Sequence, residues 1–192
     1  MFPRLSGKKR ASVGTISLRE KPQMNSGNHV VWKSMAAGAA GGLVASWIMG
    51  RFESLWSAAA KDLSNENEQD AGQKPDEDAT VKTARAISRC VLHRDLTDDE
   101  KKWAGPVVHY ALGTLLGTVY GALAAKAAMV RAGYGAVYGG AVWLAADEVA
   151  VPAFGLSKPP QETPASTHVQ EFAAHVVYGV TTDLVRRAIV AI

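Results

Sequence analysis

The sequence is short of most features that announce an activity. A single cysteine, Cys90, stands among 192 residues, which excludes an internal disulfide framework and a cysteine-based zinc centre. Taken by itself it is a small apolar side chain. Aromatic residues make up 7% of the chain and the net charge is +3. The basic residues are interleaved with acids rather than gathered with aromatics, so nucleic acid is not an expected partner. There is no HExxH, no phosphate-cradling GxxxxGK loop and no nucleophile elbow, so metalloprotease, P-loop and serine-hydrolase chemistry lack their local requirements. Catalytic residues, a cofactor and a metal site are therefore not expected. The opening "MFPRLSGKKRASVGTISLREK" has basic residues but neither a following apolar core nor a small-residue cleavage site, so it is not read as a signal peptide. Its basic, acid-poor character leaves a mitochondrial transit segment as an alternative. Met24 is an alternative start.

What the chain does have is segregated charge. Its mean hydropathy, −0.03, is that of a soluble protein, but most charges fall in two blocks, 1–33 and 51–102, and the rest is dense in Ala, Gly, Val and Leu. A helix needs about 20 mostly apolar residues to cross a hydrocarbon core. Four stretches approach that: 30–56, 106–130, 132–155 and 168–192, the last interrupted by Glu171, His175 and Asp183. The expected fold is all-α, a polytopic membrane bundle of about four transmembrane helices. Residues 1–29 form a basic extension expected to be disordered, 30–57 the first membrane helix, 58–104 a charged loop, and 105–192 the three remaining helices. Within the loop, "KDLSNENEQDAGQKPDEDA" reads as an unstructured linker. "TVKTARAISRCVLHR" follows as a short amphipathic helix, either on the membrane surface or capping the bundle. "TDDE" at 97–100 fits a capping box that starts the second long helix before the bilayer.

Small residues recur at helical spacing. Gly113, Gly117 and Gly121, Gly38 with Gly42, and Gly135 with Gly139 are each four apart, which lets helix backbones approach where lipid supplies no hydrophobic drive between helices. They are expected as packing faces, with homo-oligomerisation through them as an option. The second feature is a pair of acids inside an apolar run, "AVWLAADEVAVPAFG". At the α-helical step Asp147 shares the face of Gly140 and Ala136, whereas Glu148 is rotated towards Ala141 and Val137 and is less expected to face the bundle. Helices two and four are parallel in this topology, so His109 and His175 share a membrane level with Asp147 and Glu148. Together with Glu171 and Arg186 on the fourth helix they form the expected intramembrane polar cluster. Two readings stay open: a proton-handling cluster, since histidine titrates near neutrality, and a polar network that fixes helix register.

The stretches "WAGPVVHYALGTLLGTVYGAL", "WLAADEVAVPAFGLSKPP" and "EFAAHVVYGVTTDLVRR" resemble the YagU-type proteins of the bacterial inner membrane, a domain of unknown function. The resemblance spans roughly 79–187 and is most specific at His109, His175 and the pair Arg186 and Arg187. It implies a small multi-pass protein of the bacterial cytoplasmic membrane and carries no catalytic residues. The long charged first loop and the basic extension depart from it. Basic residues around the expected turn between helices two and three and at the end of helix four favour cytoplasmic termini. The expected function is non-enzymatic support of envelope integrity or of an acid or stress response. The alternative is a small proton-linked or solute transporter or channel using the His and carboxylate cluster. The lipid bilayer is the expected partner.

Overall fold

The computed structural model describes residues 26–63 and 78–192; residues 1–25 of the basic extension and 64–77 of the acidic linker lie outside the described residues, while 26–29, expected to belong to a disordered extension, form the first turn of α1. Among the described residues the chain is helical, with no strand. α1 (Ser26–Leu63), α3 (Asp98–Lys126) and α6 (Ala165–Val190) are the long elements, and α2 (Ala79–Leu92) is short. Where one helix was expected at 132–155, the chain builds a composite. A 3-10 segment, Ala128–Gly135, leads into α4 (Ala136–Trp143), a π turn (Leu144–Ala150) and the short α5 (Val151–Ala153). The difference begins at Gly133, Tyr134 and Gly135, whose φ values of 59°, 55° and 89° cannot continue a right-handed helix. Gly135 has a second reason to lack a side chain, because its backbone lies against Gly179. At the other end Pro152 and the positive φ of Gly155 stop the composite.

Local chemistry starts the helices where the sequence puts caps. Thr97 accepts from the Glu100 N–H and the Glu100 carboxylate accepts from the Thr97 N–H, which completes the expected capping box. Asp78 caps α2. Between them, Asp95 gathers Arg85 at 2.8 Å and Arg89 at 2.5 Å, while Arg94 holds Glu100 at 2.6 Å. These links fix α2 across the start of α3, with Val81 against Gly105. The guanidinium groups of Arg85 and Arg89 hold the Asp95 carboxyl well below the usual carboxylate range.

The long helices alternate in direction. Gly38 meets Gly117 and Gly121, and Gly42 meets Gly113 and Gly117, so α1 and α3 are antiparallel. Gly41 lies against Thr182 while Lys33 Nζ donates to the Val190 carbonyl, so α6 runs beside α3 in the same sense. Gly139 packs on His175 and Gly179. The approach is at backbone distance: a Cβ on Gly117 would stand 2.7 Å from Gly42 Cα, and one on Gly179 would stand 2.9 Å from Gly139 Cα. All seven glycines of the expected packing faces thus meet other helices of the same chain.

The interior combines small and polar residues, including Ala37, Ala45, Ser34, Ser46, Thr182, Asp183 and Arg186, with a few larger side chains, Met49, Tyr120, Val142 and Tyr178. Large apolar side chains face outwards on every long helix, among them Leu43, Trp47, Leu115, Val119, Val137, Leu144, Phe172 and Leu184. Buried hydroxyls are satisfied by helix carbonyls: Ser34 donates to Gly121 at 2.6 Å and Tyr178 to Gly113 at 2.6 Å. Among the described residues, α3 is the one helix long and apolar enough by length and composition to cross a membrane.

Candidate functional site: a one-ended polar cavity

Below Tyr178 the bundle is closed; above it the helices part around a cavity of about 630 Å³. Its floor is made by the Tyr178 hydroxyl on the Gly113 carbonyl, beside Leu116. Its rim comes from the starts of α2 and α3 and from the connection to α6, with Thr80, Lys101, Ser157 and Thr163. The lining carries three histidines and five carboxylates: His109, His168, His175, Glu53, Asp78, Asp147, Glu148 and Glu171.

Each histidine is pinned through one ring nitrogen to a backbone carbonyl. His109 Nε2 lies 3.3 Å from the Ser46 oxygen, His168 Nε2 3.1 Å from Pro160, and His175 Nδ1 2.9 Å from Glu171. A carbonyl only accepts, so these nitrogens carry the proton, and the tautomer of each neutral ring is thereby fixed. The second nitrogen of His109 and of His175 is then left for other chemistry. For His168 the second nitrogen, Nδ1, is engaged as well and shares a proton with Glu148 Oε1 at 2.5 Å. Asp147 Oδ2 approaches His175 at 3.3 Å on Nδ1, the same nitrogen that faces the Glu171 carbonyl.

The two acids of the apolar run, Asp147 and Glu148, both line the cavity, and their order of burial is the reverse of that expected from an α-helical step. The Glu148 side chain is 14% exposed and that of Asp147 27%. The reason is the π turn that contains them. Its wider i→i+5 turn makes each residue advance around the axis by less than in an α-helix, so neighbouring side chains diverge less and both carboxylates reach the same side. Of the other expected cluster members, His109, Glu171 and His175 are on the cavity wall. Arg186 is not with them. It lies in the closed half, where it donates to the fully buried Asp183 at 2.8 Å and stacks over Tyr120, while Arg187 takes the other Asp183 oxygen and covers Tyr134.

Glu53 and His168 were missed by the sequence reading, and for His168 a signal was available. His168, Glu171 and His175 stand at i, i+3 and i+7 on α6, one stripe of a helix. Glu148, His168 and Glu171 present one ligand atom each, all within 4.8 Å of one another. The trio joins two helices: only His168 and Glu171 are local in sequence, and Glu148 arrives from the π turn.

A family described as "Protein of unknown function (DUF1440)" matches residues 87–184. The chain belongs to this family. The DUF1440 match runs from the middle of α2 into the closing turns of α6 and takes in every cavity residue of α3, the π turn and α6, leaving Glu53 and the start of α2 outside it. No curated protein and no solved structure matches the chain.

Proposed function

We propose that this DUF1440 protein is a multi-pass membrane bundle whose one-ended cavity takes up protons or a small polar solute, as a small proton-linked or solute transporter. The observation that carries this reading is the concentration of three histidines and five carboxylates around one cavity, inside a bundle with many large apolar side chains on its outer surface. Ionisable groups at membrane depth are costly and mark solute or proton paths when they face a cavity. The outward Leu, Val, Trp and Phe side chains support α1, the α4 composite and α6 as spanning elements beside α3. Lys33, Lys126, Arg131, Arg186 and Arg187 belong to the helix ends away from the cavity mouth. By the positive-inside rule this supports cytoplasmic termini and a mouth on the opposite face. A bacterial inner membrane is the setting implied by the YagU-type resemblance.

A scaffold serving envelope integrity or an acid or stress response is the second reading, favoured by the backbone-tight packing of the closed half. Because the packing glycines meet partners within the chain, self-association in that role uses another surface. Proton flux in liposomes under an imposed pH gradient separates the two. The transporter reading expects flux that Asp147→Asn reduces at least tenfold (~1.4 kcal/mol in barrier). Absence of flux from folded, inserted protein removes the proton-conducting version of the transport reading.

A further inference from the structure

We infer that Glu148, His168 and Glu171 form a binding site for a divalent transition cation, with zinc as the probe of choice. The site goes beyond the transport reading and holds whether or not the cavity conducts. It is built from three independent features. First, the ligand atoms converge: His168 Nδ1 and one carboxylate oxygen from each glutamate lie within 4.8 Å of one another. The centre of a triangle with edges no longer than that is at most about 2.8 Å from each corner, and small carboxylate rotations shorten this to the roughly 2.0–2.2 Å of zinc–nitrogen and zinc–oxygen bonds. On binding, the cation takes the place of the proton shared between His168 Nδ1 and Glu148 Oε1.

Second, the ring is already oriented. A metal-ligating histidine characteristically donates its other N–H to a carbonyl or carboxylate, which fixes its tautomer and raises its basicity as a ligand. His168 does this through Nε2 on the Pro160 carbonyl at 3.1 Å, so Nδ1 is the nitrogen that faces the two acids. Pro160 begins the 3-10 turn Pro160–Glu162, and three prolines at 159, 160 and 164 restrict the backbone that holds this carbonyl. Third, the elements are rigid relative to each other where it matters. His168 and Glu171 are one turn apart on α6, and the π turn brings Glu148 to them across Gly140, which lies against Phe172.

The donor set narrows the ion. One imidazole with two carboxylates suits borderline cations such as zinc, ferrous iron or manganese, whereas an all-oxygen set would suit magnesium or calcium. Three protein ligands facing a cavity of this size leave a coordination position for water or solute, the arrangement of an open rather than a closed site.

The test is zinc binding by the full chain, purified in detergent and stripped with chelator, read by equilibrium dialysis with elemental analysis. One equivalent is expected in the wild type, weakened at least about tenfold in His168→Ala and in Glu171→Gln. Asp147→Asn, on the same wall but outside the trio, keeps the full equivalent. So does the double variant His29→Ala/His93→Ala, which removes exposed histidines. Circular dichroism monitors folding, and Glu148→Gln replaces any variant that does not fold. No saturable uptake by folded wild type overturns the site. Uptake that survives His168→Ala, or that disappears with His29 and His93, overturns it equally. Zinc bound with no proton flux removes the proton-conducting reading and keeps the site; flux without zinc binding does the reverse.

Discussion

The two ends of the bundle are made from the same helices and behave oppositely. In the half towards the termini, glycines on α1 and α3 and on α4 and α6 bring backbones into contact, and the buried charge of Asp183 is fully met by Arg186 and Arg187. In the other half, Glu53, His109 and His175 occupy equivalent inward positions, and the helices enclose a cavity instead. The comparison teaches that side-chain size along the inner stripe divides the bundle into an anchor and a site. Glycine removes the volume between helices in one half; ionisable side chains, which need partners and water, keep it open in the other.

The largest expected effect comes from breaking the anchor. Gly117→Val forces a branched side chain into the backbone of α1, since even a Cβ would lie 2.7 Å from Gly42 Cα. A loss of about 3 kcal/mol or more is expected in reversible unfolding from mixed micelles. A valine tolerated there would show that the closed half is not backbone-packed.

The same substitution made in both halves sharpens the contrast. Asp183→Asn leaves Arg186 buried without its counter-charge and is expected to cost about 3 kcal/mol. Asp147→Asn alters a carboxylate that is 27% exposed to the cavity and should cost under about 1 kcal/mol, while it removes proton flux. Equal losses of stability would erase the distinction between anchor and site.

The smallest effect concerns the corner that carries part of the cavity rim. Asp95 has its carboxyl held below the usual range by Arg85 and Arg89, a depressed folded-state value. Its contribution is therefore present above the ordinary aspartate pKa, about 3.9, and is lost as pH falls below it towards the folded value. Asp95→Asn should reproduce this loosening at neutral pH. Hydrogen exchange should quicken in α2 and leave the glycine contacts of α1 and α3 unchanged. Faster exchange throughout would mean that the corner supports the whole bundle.

Much of this organisation was legible as one-dimensional pattern. The capping box at Thr97 and Glu100, the short helix beginning near residue 79, the glycine spacing and the helical nature of the long segments all depend on neighbours a few residues apart. The composite after α3 was not legible. Three successive positive φ values at 133–135 and a π turn at 144–150 answer to packing against α6, which no local propensity encodes. The extension 1–25 and the linker 64–77 lie outside the described residues, so those parts of the reading rest on composition.

By itself the sequence determined an all-α chain with its charge kept out of the apolar runs, because composition and periodicity act locally. It also determined membership of the DUF1440 family. Tertiary structure alone decided which ionisable groups meet. It drew Glu53 and His168 into the cavity, sent Arg186 to Asp183, and turned Glu148 inwards beside Asp147. The physical reason is that a side chain's direction is set by the helix turn that bears it, and its partner by which helix packs opposite. Both are fixed only when the glycine contacts lock the bundle into register.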